Sequence, residues 1–336
     1  MRSVLNYWFP SRLTLAEVQD DFMEIAVRRQ SLCSFDDVHR LVSLLVGGAA
    51  AGLLPRSLDG AAADFLRRVH PATQPRKLDE LAALMAEVLS PHRTDNWTAL
   101  ANEHARMKLE DYWGRFRGVG PRGWHPSIEF EGDHYIRKAL ENGKGAVIWC
   151  MRFSSDAVLK QGFYQAGLPL VHLRDSAHGA HSGRTRLGTS LVSPLFCRAE
   201  DPYLASRVVI PVEGSLGYLQ TLRDHLRAND CVSIYGDATG RQTVEVPFLT
   251  GTCKYATGAP SMAWAEDSPL FSAYALRTGR FKYRVIVEDA IAADRSLPRK
   301  AFVSAAVAEF AQRVERLVRN HPTDWQDWLL WKQSQA

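Results

Sequence analysis

The sequence is short of most features that identify a protein's chemistry at once. Five cysteines in 336 residues (33, 150, 197, 231 and 253) form no C-x-x-C pair and leave one over. That argues against a disulfide framework or a zinc site, and for inert thiols or a reducing compartment. No charge of one sign dominates: 41 Lys+Arg face 37 Asp+Glu, a net +4, too little to imply a nucleic-acid partner. There is no P-loop and no G-x-S-x-G, and Gly214-Ser-Leu-Gly217 has the wrong spacing for a serine nucleophile elbow. Gly118-Val-Gly-Pro-Arg-Gly123 matches G-x-G-x-x-G, but no strand precedes it and Pro121 interrupts it, so it reads as a loop rather than a dinucleotide site. The first twenty residues carry Arg2, Arg12, Glu17 and Asp20 and no long apolar core, unlike a cleavable signal peptide. Repeats and low-complexity tracts are also missing.

No apolar run reaches the roughly 20 residues of a spanning helix. The longest uncharged segment, Leu41 to Pro55, has fifteen and sits between Arg40 and Arg56. Gly47, Gly48 and Gly52 weaken it as an isolated helix. It reads as a buried helix of a soluble core, as a helix lying in or dipping into a bilayer surface, where Arg28, Arg29, Arg40, Arg56, Arg67 and Arg68 would face anionic lipid, or, least of the three, as a full span.

What is present divides in two. Residues 1–117 read as helical, with apolar spacing over 15–29, 58–69, 78–89 and 97–117 and prolines 55, 71, 75 and 91 between them. From residue 118 strands alternate with helices, the pattern of an α/β sheet. Strands are predicted at 128–130, 145–151, 168–173, 207–212 and 231–235, and an antiparallel pair at 269–276 and 281–287 turns at Thr278-Gly279. Helices are predicted over 133–142, with Asp133 as N-cap, and over 157–166, 215–228 and 299–319. The expected fold is a mixed, mostly parallel central sheet flanked by helices, behind a helical N-terminal region.

Two polar emergences stand out. Strand 145–151 is apolar throughout and ends at Arg152-Phe-Ser-Ser-Asp156, where open α/β sheets place their chemistry. Strand 231–235 ends at Gly236-Asp237, with Arg241 nearby. Asp237 either caps its own glycine-bounded turn or offers a carboxylate to the cleft of Arg152 and Asp156. Asp175, His178 and His181 have metal-like spacing, but in a glycine-containing loop with Arg174, Arg184 and Arg186 they suit a bound phosphate or carboxylate better than a cation.

In this order the segments resemble the bacterial lipid A late acyltransferases, the lauroyl/myristoyl transferases of the lysophospholipid acyltransferase superfamily. The likeness covers roughly residues 40–332. It rests on Gly145-Ala-Val-Ile-Trp-Cys-Met-Arg-Phe153, where the family has a Gly-led strand ending in His-Phe, and on Val232-Ser-Ile-Tyr-Gly-Asp237. It continues with Val246-Pro-Phe248 and Gly251, Ala256-Thr-Gly258 and Ala263, and a terminal Pro322…Trp…Lys332 segment. The resemblance implies a glycerolipid acyltransferase-like fold at the cytoplasmic face of the bacterial inner membrane, peripheral or shallowly inserted. It implies transfer of an acyl chain from acyl carrier protein or coenzyme A to a hydroxyl of a glycolipid, with no cofactor or metal. Arg152, Asp156 and Asp237 would be catalytic. Phe153, Arg174, His178, His181, Arg184, Arg186, Arg241 and Gly258 would bind substrate.

The family motif is His-x4-Asp/Glu, a base and the carboxylate that orients it. Here Arg152 stands at the His and Ala157 at the acid; shifted by one, Met151 and Asp156 occupy the two places. Arginine stays protonated and cannot act as a base. Either a distant histidine (His134, His172, His178 or His181) substitutes, or the chain is a catalytically silent relative that binds acyl lipid or a partner enzyme.

Overall fold

The computed structural model describes residues 31–70, 73–91, 94–180, 185–211, 216–236, 240 and 242–335; the helix expected over 15–29 lies outside them. Through the first half run α1 (Phe35–Leu53), α2 (Asp59–Val69), α3 (Pro75–Leu89), α4 (Trp97–Val119), β1 (Ser127–Glu131), α5 (Asp133–Leu140), β2 (Ala146–Cys150) and α6 (Asp156–Gln165). Then come β3 (Leu170–Asp175), α7 (Ser193–Cys197), β4 (Leu204–Ile210), α8 (Gly217–Arg227), β5 (Cys231–Tyr235), β6 (Thr243–Phe248) and β7 (Gly251–Ala256). The chain closes with α9 (Gly258–Ala265), β8 (Leu270–Gly279), β9 (Lys282–Ala290), α10 (Arg299–Asn320) and α11 (Trp328–Ser334). By packing it divides into two compact units: Met1–His125 with Asp175–Pro202 and Asp327–Ala336, and Pro126–Arg174 with Tyr203–Gln326.

The first unit is helical, and α1, α2 and α3 all pack on α4. Ser34 caps α1 by accepting the Asp37 amide at 3.0 Å, and Asn96 caps α4 by accepting the Ala99 amide at 3.0 Å. The glycines of α1 have a packing role: Gly47, Gly48 and Gly52 face Phe116, Val119 and Pro121. Close approach to α4 therefore holds a helix that glycine alone would weaken. At its end Arg117, buried, donates to the Leu54 carbonyl at 2.9 Å and to Asp59 Oδ1 at 2.7 Å, and Trp113 Nε1 donates to the same carboxylate at 2.9 Å. This knot fixes the turn into α2, and the segments on either side diverge by 119°. No single described helix is long and apolar enough to cross a membrane.

The second unit is the α/β body. Its seven-stranded sheet runs β1-β9-β8-β2-β5-β3-β4, with β8, β2, β5 and β3 mutually parallel and β9 antiparallel to β8. The hairpin β6–β7 stands as a separate two-stranded sheet. Every residue of β2 is buried, as an apolar strand covered on both faces requires. Its alternation assigns the layers. Trp149 lies flat on Phe310 of α10, ring centroids 3.9 Å apart, whereas the neighbouring Cys150 thiol feels the charges of Asp156 and Lys160 on α6. So α10 and α6 cover opposite faces. The leading glycine of β2 is required: Gly145 has φ +63°, and a Cβ there would come within 2.7 Å of the Asp230 and Leu226 carbonyl oxygens.

One expectation about a helix end is corrected. Gly132, at φ 86°, occupies the N-cap of α5. Asp133 is instead the first helical residue, and its carboxylate takes the Arg137 guanidinium at 2.9 Å one turn on.

Candidate functional site

The parallel strands β2, β5, β3 and β8 end at one edge of the sheet, and β2 and β5 finish level with one another, Cys150 beside Tyr235. The Gly236 amide donates to the Cys150 carbonyl at 2.9 Å, so the segment leading to Asp237 leaves β5 alongside the segment leading from β2 to Arg152. Asp237 itself, with His181, Arg184 and Arg241, lies outside the described residues.

The five residues after β2 form a tightly held turn. Arg152 is half-buried; its carbonyl accepts the Gln326 amide at 3.0 Å. Phe153 is buried against Tyr274 and forms an isolated bridge with Trp325. Ser154 has φ 39°, a left-handed conformation that costs a non-glycine residue energy. Its hydroxyl donates to Asp324 Oδ1, its amide donates to the Asp324 carbonyl at 2.7 Å, and its own carbonyl accepts from Gln326 Nε2 at 2.8 Å. Ser155 caps α6 by accepting the Val158 amide at 3.4 Å. Asp156 opens that helix and is buried. The Pro322…Trp segment that contributed to the family resemblance thus supplies the clamp on this turn.

Beneath the edge lies a buried polar cluster. Lys160 is one helical turn after Asp156, on the same side of α6. It is 1 % exposed, with its ammonium 5.7 Å from the Tyr235 ring centre. His172 Nδ1 and Ser233 Oγ are 2.8 Å apart, and the imidazole meets Tyr235 edge-on at 5.3 Å. Burial pushes the Cys150 thiol up to about 12, with Lys160 pulling down and Asp156 pushing up, so it stays an inert thiol.

Among the described residues, His172 lies in the parallel strands that lead to this edge, but not at the edge itself. It pairs with Ser233, which pairs with Ile148, four residues and about 13 Å of strand before Arg152. His178 belongs to the first unit, where its Nε2 is 3.4 Å from Glu200. Glu200 also accepts from Arg115 at 2.9 Å, and Arg115 pairs with Asp111 at 3.2 Å. Arg186, exposed, belongs to that unit too, while the half-buried Arg174 ends the second unit's first segment. Gly258 opens α9, where a Cβ would meet nothing within 4 Å.

A shallow cleft of about 530 Å³ opens at the opposite, amino edge of β2 and β8. Lys144 pairs there with Asp267, and Arg295 holds the same carboxylate at 3.2 Å. Both cations are therefore engaged with protein. No group of three or more His, Cys, Asp or Glu suited to a metal occurs among the described residues.

The fold and this edge define an α/β protein with a polar strand-to-helix turn at the carboxyl end of its central parallel strands. A comparison with models of known protein families gives no match, and a comparison with curated proteins gives none either.

Proposed function

We propose that the protein is a membrane-associated acyltransferase-like protein, carrying a fatty acyl chain from acyl carrier protein or coenzyme A to a hydroxyl of a glycolipid through an atypical site. What carries the reading is a cation and a carboxylate, Arg152 and Asp156, delivered by one turn to the carboxyl edge of the central parallel strand beside the end of β5. In this reading the Arg152 guanidinium faces the developing oxyanion or a substrate phosphate, and Asp156 orients the reacting groups. The bilayer is the acceptor's source. α1 turns Val42, Leu45, Val46 and Leu53 outward, α2 adds Phe65 and Val69, and all six are more than half exposed. Arg56, Arg67 and Arg68, also exposed, lie among them in sequence. Such a face suits a helix pair lying in an anionic membrane surface.

Acyl transfer, or hydrolysis, of acyl carrier protein and coenzyme A thioesters tests the proposal. Turnover that Asp156→Ala abolishes supports it. A second reading, a silent relative that binds acyl lipid, is favoured by one observation: the position of the family's base holds a permanent cation, Arg152. Bound lipid without turnover, and turnover restored in Arg152→His, would select that reading.

A further inference from the structure

We propose that Ser154 is the acyl-accepting nucleophile of this site and Asp324 its general base, so that transfer passes through an acyl-serine. The inference rests on the acyl-transfer reading and explains how such a site works without the motif histidine.

Four observations converge on the pair. Ser154 sits at a strand-to-helix turn at the carboxyl edge of β2, in the strained left-handed region at φ 39°. Strain of this kind is kept only where the surroundings impose it, and it gathers at reactive sites. Its hydroxyl donates directly to the Asp324 carboxylate, the nucleophile-to-base contact that activation of a serine needs. That carboxylate lies in a dry setting: Ser154 is 1 % and Asp324 5 % exposed. Burial pushes the Asp324 carboxyl above its ordinary range, against the Ser154 hydroxyl, the Arg277 amide at 3.2 Å and the charges of His321 and Arg277. A carboxylate with raised proton affinity is a stronger base. Finally, α6 begins at Asp156, so the Asp156 and Ala157 amides, which come before the Val158 amide that Ser155 caps, follow Ser154 immediately, beside Arg152. These are donors for a tetrahedral oxyanion.

The chemistry balances without a cofactor. As Ser154 Oγ attacks the thioester carbonyl, its proton passes to Asp324. The C–S bond breaks, the departing thiolate takes that proton, and an ester remains on Ser154. The lipid hydroxyl then attacks the ester carbonyl. Its proton passes to Asp324 and on to Ser154 Oγ as the serine leaves. Because the pair is buried, acylation waits on opening of the turn, and the adduct accumulates slowly.

The test incubates the full chain with palmitoyl-coenzyme A without acceptor, quenches in acid, and reads intact mass and peptide masses. The expected result is one added acyl group on the peptide holding Ser154, stable to neutral hydroxylamine, unlike a cysteine thioester. Asp324→Asn is expected to slow its appearance about 100-fold or more. Ser154→Ala is expected to remove it, with thermal unfolding showing that the variant folds. The wild-type mass measurement depends on no variant. Turnover without an adduct on Ser154, undiminished in Ser154→Ala, overturns the dyad and leaves the acyl-transfer reading standing. Bound lipid with neither turnover nor adduct overturns both, and the Ser154–Asp324 contact is then only a clamp on the turn.

Discussion

Gly47 of α1 lies directly against the ring of Phe116 on α4: a Cβ at position 47 would come 2.5 Å from two ring carbons. The contact explains why a glycine-rich apolar segment is helical. One face gives up side chains to approach α4, and the opposite face keeps its valines and leucines outward.

Gly47→Val should therefore destabilise the first unit by about 1–3 kcal/mol, the usual cost of overpacking. Chemical denaturation measures it. A variant as stable as the parent would show that the α1–α4 approach is not held by this glycine.

The outward face should bind lipid. Vesicles containing phosphatidylglycerol should sediment the protein, and Val42→Glu with Val46→Glu should release it into the supernatant, because both side chains are more than half exposed on α1. Arg67→Glu with Arg68→Glu should weaken binding to anionic vesicles most at low salt, at about 1 kcal/mol or more per position. Binding that ignores all four substitutions would place the membrane contact elsewhere.

Trp149 and Phe310 stack at 3.9 Å with 14° between ring planes, and both are fully buried. Phe310→Ala should cost about 3–5 kcal/mol of stability, read from the denaturation midpoint at constant slope. A loss under 1 kcal/mol would mean that α10 closes over the gap.

His70 sets an acid limit. Burial holds its imidazole down at about 4, with the charges of Lys77 and His39 acting in the same direction, against an ordinary 6.5. Between those values the unfolded chain takes up a proton that the folded chain refuses. Stability should fall as pH drops from 6.5 towards 4, and His70→Gln should flatten that part of the curve. Equal slopes in parent and variant would assign the acid sensitivity to other groups.

The α/β architecture was legible because its signals are local. The apolar run of β2, the 3.6-residue period of α10 and the alternation of β9 each sit within a few turns of chain, and the structure reproduces all three. Asp133 shows where local logic failed: an acidic residue at a helix start reads as a cap, yet Gly132 reached the capping geometry first. Lys160 was missed because the helix was predicted to begin at 157; the structure begins it at Asp156, which puts the two residues one turn apart on the same side. Only burial reveals that such a pair lies inward rather than in solvent.

The sequence by itself determined the seven strands of the central sheet and the longer helices between them, that β2 is covered on both faces, and that a cation, Arg152, follows its carboxyl end. Periodicity and residue chemistry carry that much. Tertiary structure alone decided that Ser154, within the turn the sequence put at the strand edge, meets the carboxylate of Asp324, 170 residues away. No local pattern encodes a contact closed by sheet order and by the return of the chain across it.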